Sequence, residues 1–163
     1  MKILFVRHAR AQTRAEFKGK NDLLRPLTPV GSKEARKAFK RVAKMYSKPD
    51  VILSSQAVRA VDTAELLAQA WGVKGVKQTE ELNPGCNMAK FQKMLGQLDN
   101  KIEWVAVVGH DPDFSDLVSE ITANGALKLD FKKAACMEVD IVSMEPLRGE
   151  LKAFLPPRLV TAL

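Results

Sequence analysis

The sequence predicts an α/β fold: a three-layer sandwich in which a mostly parallel central sheet is flanked by helices and carries a C-terminal antiparallel hairpin at one edge. Three short apolar runs rich in β-branched residues, at residues 3–6, 51–53 and 104–108, each precede a polar turn and a stretch of helical periodicity. This alternation is typical of βαβ units around a parallel sheet that is buried on both faces.

Two helices are expected in the first half of the chain. Thr28 is the predicted N-cap of the first helix, and Pro29 occupies its first helical position. One face of this helix is mostly lysine and arginine, and the predicted inward face consists of Ala35, Phe39, Val42 and Tyr46. The second helix is expected to begin after Ser55 and to end near residues 71–72, where a glycine can close it.

The second half of the chain predicts two more helices and the edge hairpin. A third helix is expected over residues 88–98, and a fourth has Asp111 as its predicted N-cap, Pro112 at its first position and residues 124–125 at its end. Strands are expected at residues 137–143 and 150–155, joined by a turn at 144–149, and a weaker strand signal covers 73–79.

The composition indicates one globular domain over residues 1–163. Hydrophobic residues make up 46% of the 163 residues and charged residues 28%, which excludes disordered, collagen-like and membrane-embedded classes. No apolar run approaches the roughly 18 residues of a membrane span, and Arg7 interrupts the first apolar run too early for a signal peptide. The sequence therefore predicts a cytoplasmic protein.

The two cysteines of the chain, Cys86 and Cys136, are expected to be reduced packing residues.

Positive charge is concentrated at the start of the chain. Residues 1–48 hold fourteen Lys and Arg against three acidic residues, and residues 49–163 hold twelve against sixteen. This asymmetry is compatible with an anionic partner, such as a phosphate group or nucleic acid, and equally with a solvated surface.

Both histidines of the chain occupy the same kind of position. His8 and His110 each stand just past the carboxyl end of a predicted buried strand, which is where open α/β sheets bind ligands. Arginines are expected nearby: Arg7 precedes His8, Arg59 lies in the first turn after the strand at 51–53, and Arg25 lies before the first helix. Guanidinium groups match phosphate oxygens bidentately, so this set predicts a site for a tetrahedral dianion.

Other site chemistries lack their motifs. The sequence contains neither the phosphate-binding loop of nucleoside triphosphatases nor the glycine fingerprint of dinucleotide enzymes. Neither cysteine begins a short loop that ends in arginine, as a thiolate phosphatase requires. A metal ion at the two histidines would face Arg7 and Arg59, so we predict no metal and no cofactor.

Three stretches, at residues 6–9, 53–64 and 108–112, together resemble the signature segments of the histidine phosphatase superfamily. Residues 25–28 and 151–158 look specifically like the small SixA-type phosphohistidine phosphatases, and the similarity spans nearly the whole chain in the same order. The chain departs from the family pattern at Ala9, Gln56 and Asp111, where glycine, proline and often asparagine are usual.

The resemblance implies roles for the candidate residues. His8 would be the nucleophile that forms a covalent phosphohistidine, and Arg7, Arg59 and His110 would hold the phosphoryl oxygens. Arg25 would be an outer phosphate or substrate contact. The implied partner is a protein or peptide phosphorylated on histidine, with no role for nucleic acid or membrane.

Three alternatives remain open at this point. Glu80 and Glu81 lie where relatives that act on phosphate esters place a general acid, but they can equally be a solvated surface pair. A small-molecule phosphomonoesterase of the same superfamily is the second function considered. A non-catalytic module that binds anions or nucleic acid is the third, although Phe39 and Tyr46 are expected to point inward and leave little for base stacking.

Overall fold

A six-stranded sheet with the order β3-β2-β4-β1-β5-β6 forms the centre of the computed structural model, which describes residues 1–162. Strands β1 to β4 are parallel, β5 runs antiparallel to β1, and β6 runs antiparallel to β5 at the edge. The strands are β1 (Lys2–Arg7), β2 (Val51–Ser54), β3 (Lys77–Gln78), β4 (Trp104–Gly109), β5 (Cys136–Met144) and β6 (Leu147–Leu155). The predicted α/β class and its edge hairpin are confirmed.

Helices cover both faces of this sheet because β1 alternates its side chains between two cores. Ile3 and Phe5 pack with apolar residues of α3 and α4, whereas Leu4 and Val6 pack with those of α1 and α2. The helices are α1 (Pro29–Met45), α2 (Val58–Trp71), α3 (Met88–Gly96), α4 (Asp113–Ala123) and α5 (Pro157–Ala162). None of the helices found within residues 1–162 is long and apolar enough to cross a membrane.

The first helix forms as its sequence predicts. The Thr28 hydroxyl accepts a hydrogen bond from the backbone N–H of Gly31, and Pro29 occupies the first turn, where a backbone donor is not needed. Phe39 and Val42 are buried against the sheet, while Tyr46 is the half-buried C-cap and donates its hydroxyl to Glu138. The lysine-rich face of α1 is therefore left on the outside of the molecule.

Two strand predictions differ from the structure in length. The expected strand at 73–79 shrinks to Lys77–Gln78, because the preceding segment contains Gly75 in a left-handed conformation (φ 88°) that leaves the extended region. The hairpin instead has longer strands, joined at residues 145–146. Gly149, which the sequence placed in the turn, lies within β6. Glycine suits this position because an added Cβ would lie only 2.7 Å from the Asp140 carbonyl oxygen of the partner strand.

The prediction that Asp111 caps the fourth helix is wrong. Pro112 is the N-cap, and α4 begins at Asp113. The Asp111 carboxylate accepts a hydrogen bond from the Ser115 hydroxyl and lies 3.8 Å from the Arg7 guanidinium, so it does not face the free N–H groups of the helix. Sequence spacing identified the turn and could not show that a competing cation would draw the carboxylate away.

Candidate active site

The sheet brings the two histidines side by side. Arg7 and Gly109 are paired residues at the ends of the parallel neighbours β1 and β4, and each is followed by a histidine. The His8 backbone N–H donates to the Gly109 carbonyl at 3.0 Å, and the imidazole centroids of His8 and His110 lie 5.3 Å apart. Both side chains are buried. The pairing of strand ends therefore fixes the distance between the two rings.

The environment of His8 determines its tautomer. Its Nδ1 lies 2.7 Å from the carbonyl oxygen of Ala9, which can only accept, so Nδ1 carries the proton. In the neutral ring this leaves the lone pair on Nε2. The backbone N–H of Ala9 is held by the Thr63 hydroxyl at 2.9 Å, and Thr63 itself bonds the Arg59 carbonyl, so α2 fixes this loop. Ala9 is not among the residues of positive φ, and alanine therefore suits a position where relatives carry glycine.

His110 has the opposite tautomer. The Ser55 hydroxyl donates to Asn83 Oδ1 at 3.0 Å and accepts from the Ala57 backbone N–H, so its remaining contact, with His110 Nε2 at 2.8 Å, must be with an N–H donor. Asn83 Oδ1 is identified as the acceptor because it also receives the Gln56 backbone N–H. His110 therefore carries its proton on Nε2, and its lone pair lies on Nδ1.

Both imidazoles are neutral at physiological pH. Burial, together with the nearby charges of Arg59 and Arg7, lowers the pKa of His8 to about 3, although the bond to the Ala9 carbonyl acts to raise it. Burial and the charge of Arg59 likewise lower the pKa of His110 to about 3. A neutral His8 keeps the lone pair that a nucleophile needs.

Arg59 and Arg25 are held by one carboxylate, that of Asp22. Arg59 donates to the Asp22 carbonyl at 2.8 Å and to its Oδ2 at 3.0 Å, and Arg25 donates to its Oδ1 at 3.0 Å. Arg25 also donates to the Gln12 carbonyl. Although burial acts to raise the pKa of Asp22, its bond from Arg25 and the charge of Arg59 hold that pKa below its usual value. Asp22 stays ionised and orients both guanidinium groups.

Arg7 is held by other parts of the chain, the segment before β5 and the loop after β4. Its Nη1 donates to the Phe131 carbonyl at 2.5 Å and lies 3.8 Å from the Asp111 carboxylate. Among residues 1–162, the buried Nε atoms of Arg7 and Arg59 have no hydrogen-bond partner. Both guanidinium groups thus retain donor capacity that the described protein atoms do not satisfy, as expected of side chains that bind an anion.

Glu80 and Glu81 are not the solvated pair that the sequence allows. Glu80 is exposed, but Glu81 is buried, with an ion pair to Lys93 at 2.7 Å and a hydrogen bond from the Thr79 hydroxyl. The bonds from Lys93 and Thr79 lower the pKa of Glu81 to about 2. Glu81 therefore remains a carboxylate, and its partners lie on the segment and helix that follow β3.

Sequence reasoning missed the residues that position the candidates: Asp22, Ser55, Thr63, Asn83 and the Phe131 carbonyl. Ser55 and Thr63 lie inside the middle signature stretch, so a signal for them was present although no role was inferred. Asp22 and Asn83 reach the site from loops without periodicity.

The structure brings His8, His110, Arg7, Arg59 and Arg25 to one edge of the sheet. Across residues 1–162, no group of three or more His, Cys, Asp or Glu side chains could hold a metal ion, and Cys86 and Cys136 are buried free thiols.

Known proteins share both the sequence pattern and the fold. Residues 3–111 match the family described as the histidine phosphatase superfamily (branch 1). An uncharacterized protein of Picosynechococcus is 30% identical over 139 residues, which cover 82% of this chain and 81% of that protein. The family match over residues 3–111 includes all five candidate residues: Arg7, His8, Arg25, Arg59 and His110.

Solved structures resemble the chain over nearly its whole length. The protein histidine phosphatase SixA complexed with tungstate superposes with a TM-score of 0.84 at 23% identity, covering 98% of this chain and 99% of that one. A mycobacterial glucosyl-3-phosphoglycerate phosphatase superposes with a TM-score of 0.70 at 18% identity, covering 94% and 98%. At these identities the likeness establishes the fold, which is common to phosphatases of different substrates.

Proposed function

Since this chain belongs to the histidine phosphatase superfamily, we propose that it is a phosphatase that removes phosphate from protein phosphohistidine through a covalent intermediate on His8. The observation that carries the proposal is the neutral His8 ring, whose Nδ1 is bonded to the Ala9 carbonyl and whose Nε2 therefore holds the lone pair. Arg7 and Arg59 are close enough to lower the pKa of this ring, and the His110 ring lies 5.3 Å from it. No cofactor or metal has a part in this reaction.

The reaction proceeds in two phosphoryl transfers. His8 Nε2 forms a bond to phosphorus as the bond from phosphorus to the substrate imidazole breaks, and the electron pair leaves with that imidazole, which takes up a proton from the solvent. Water then attacks the phosphohistidine and gives up one proton to the solvent, the bond from phosphorus to Nε2 breaks, and inorganic phosphate leaves with His8 neutral again. Arg7 and Arg59 stabilise the charge on the equatorial oxygens in both steps.

His110 contributes through its change of protonation. A bound phosphoryl dianion favours the charged imidazolium, so it raises the pKa of His110 from its low value in the free protein. The proton enters at Nδ1, because Nε2–H is already bonded to Ser55. The resulting imidazolium adds a third cation to Arg7 and Arg59 at the transferring group.

The choice of phosphohistidine follows from the leaving group. The imidazole of phosphohistidine has a pKa of about 6.5, so near neutral pH it can be protonated by the solvent as it leaves. An alkyl phosphate must instead expel an alkoxide, which is a far stronger base and needs a positioned acid. Glu81, the carboxylate at the expected position of that acid, is held ionised by Lys93 and Thr79. The fold likeness to SixA supports the same choice.

A small-molecule phosphomonoesterase is the second candidate. It is favoured by the fold shared with the mycobacterial sugar phosphate phosphatase. The two candidates differ in the substrate they handle best, and not in the role of His8.

The test is a side-by-side measurement of kcat/KM on a phosphohistidine peptide, phosphoramidate, an aryl phosphate and an alkyl phosphate. We expect the first three to be hydrolysed well and the alkyl phosphate poorly, with activity retained in EDTA. Glu81→Gln should keep nearly all activity on phosphohistidine, with the exposed Glu80→Gln as matched control. If alkyl phosphate is the best substrate, or if only Glu81→Gln abolishes activity, the phosphomonoesterase replaces the phosphohistidine phosphatase.

A further inference from the structure

A basic groove of about 690 Å³ adjoins the candidate active site and shares Arg7 with it. The groove is bounded by the loop after β1, by α1, by the segment before β5 and by the start of α5. Among residues 1–162, one acidic residue, Glu34, and six cationic side chains line it: Arg7, Arg10, Lys37, Lys132, Lys133 and Arg158.

Half of these cations are not neutralised by any residue that the structure describes. Arg10 pairs with Glu34 at 3.4 Å and Lys132 with Asp130 at 2.9 Å. Within residues 1–162, Lys37, Lys133 and Arg158 form no ion pair, and all three are exposed. Three such positive charges on one concave surface create a local field that attracts an anionic partner.

Backbone contacts hold the walls of the groove against the end of β1, which His8 directly follows. The Ala134 backbone N–H donates to the Arg7 carbonyl, which fixes the Lys132–Lys133 segment to the end of β1. On the other wall, α1 packs so closely on the first loop that a Cβ at Gly31 would lie 2.2 Å from the Arg10 carbonyl oxygen. The backbone segments that carry Arg10, Lys132 and Lys133 are therefore held close to His8.

We propose that this groove binds an acidic segment of the protein substrate that flanks its phosphorylated histidine. The inference rests on the proposed function, because it adds a docking surface to the same reaction. Carboxylates of Asp and Glu complement Lys37, Lys133 and Arg158, and they would bind while the phosphoryl group lies at Arg7 and Arg59.

The chemistry of the groove favours a peptide over a nucleic acid. The residues within 1–162 that line it include no aromatic side chain, so they offer no platform for base stacking. Its uncharged surface consists mainly of Ala9, Ala134, Pro156 and Pro157, which suits an extended polypeptide. A second phosphate of a small molecule is the other anion that the cations could bind, and the experiment includes it.

The experiment compares two phosphohistidine peptides, one flanked by Asp and Glu and one by Ser and Gln, with phosphoramidate and a small bisphosphorylated compound as further substrates. The variant is Lys37→Glu with Arg158→Glu. Its matched control is Lys74→Glu with Lys101→Glu, which makes the same charge change at exposed positions outside the groove. Circular dichroism and thermal unfolding check that both variants fold.

We expect the wild-type protein to prefer the acidic peptide in kcat/KM and to lose this preference as salt is raised. The groove variant should reduce the preference about tenfold, the size expected for two partly exposed charge pairs, and the control variant should keep it. Equal turnover of both peptides, or a preference that survives in the groove variant, would overturn the docking inference alone.

Two further outcomes are decisive. Strong preference for the bisphosphorylated compound over the acidic peptide, lost in the groove variant, would assign the groove to a second phosphate and overturn the acidic segment. Failure of the wild-type protein to hydrolyse phosphoramidate and both peptides, with good turnover of alkyl phosphate, would overturn the proposed function and the docking inference with it.

Discussion

The two edges of the parallel sheet differ more in charge than in shape. A hollow of about 450 Å³ lies at the amino edge, between the residues that precede β1 and β4 and the end of β5. The charged side chains that line it within residues 1–162 are those of Asp99 and Glu103. The carboxyl edge carries the neutral histidine pair and the basic groove, where cations outnumber acids. Both edges offer space, but the two buried arginine Nε atoms without a hydrogen-bond partner within residues 1–162, those of Arg7 and Arg59, belong to the carboxyl edge.

The direction of the parallel strands determines at which edge of the sheet functional side chains come together. At the carboxyl edge, β1, β2 and β4 all end in loops that present side chains to one crevice. At the amino edge the same strands begin, and the backbone N–H groups of Glu103 and Trp104 are already bonded to the Asp50 carboxylate. Four predictions test whether phosphate chemistry is confined to the carboxyl edge.

The largest effect is expected from His8→Ala. Loss of the proposed nucleophile should reduce turnover by about 10⁴-fold or more, because no other group is proposed to supply the covalent step. Wild-type protein quenched during turnover should carry an acid-labile, base-stable phosphate on His8, detected by labelling and peptide mapping. Full activity in the alanine variant, with the fold checked by circular dichroism, would contradict the nucleophile assignment.

Next in size are Arg59→Ala and Arg7→Ala, which should each reduce kcat/KM by about 10²-fold or more through loss of a preorganised donor to the phosphoryl oxygens. Arg148→Ala removes a guanidinium from β6 at the amino edge and serves as the matched control. Steady-state kinetics on phosphoramidate measure the losses. If Arg148→Ala costs as much as the other two, the contrast between the edges is wrong.

The pH dependence of stability should give a smaller effect. An unfolded chain protonates its histidines near pH 6.5, but the folded chain keeps His110 neutral down to about pH 3. The free energy of unfolding therefore falls as the pH drops below 6.5, by up to about 2 kcal/mol for each such histidine at pH 5.

Urea unfolding of the wild type and of His110→Asn at pH 7 and pH 5 measures this contribution. On acidification from pH 7 to pH 5, the free energy of unfolding should fall less in the variant than in the wild type, by up to about 2 kcal/mol. The same pH dependence in both proteins would show that His110 is not neutral in the fold.

The smallest expected effect is that of Asp111→Asn. Removing a carboxylate that lies 3.8 Å from Arg7 should lower the inhibition constant for inorganic phosphate about threefold, the scale of a partly exposed charge pair. Glu103→Gln removes a carboxylate from the amino edge and should leave that constant unchanged. A weaker phosphate affinity in Asp111→Asn would mean that the carboxylate supports the site instead of competing with the anion.

The hydrophobic periodicity of the sequence and the residues at the predicted strand ends were enough to predict the central sheet and the position of the two histidines. The runs at 3–6, 51–53 and 104–108 predicted the three central parallel strands, and the positions of His8 and His110 after two of them predicted their proximity. These features depend on burial patterns that repeat along the chain, so a single sequence carries them.

The remaining features depend on contacts between distant loops. Asp22 bonds Arg59 across 37 positions, and Asn83 bonds Ser55 across 28, from segments with no periodic signal. Glu81 is buried because Lys93 of the next helix neutralises it, which local composition does not indicate. Such pairings become apparent only when the backbone path is known.

The buried thiols have a consequence for how the protein meets oxidants. Burial raises the pKa of both Cys86 and Cys136 to about 12, so at pH 7 only about one molecule in 10⁵ carries a thiolate at either position. Alkylating reagents and peroxide attack the thiolate and therefore find almost none. A phosphatase that uses an imidazole and keeps its sulfur protonated would remain active under oxidative conditions that silence enzymes built on a reactive cysteine.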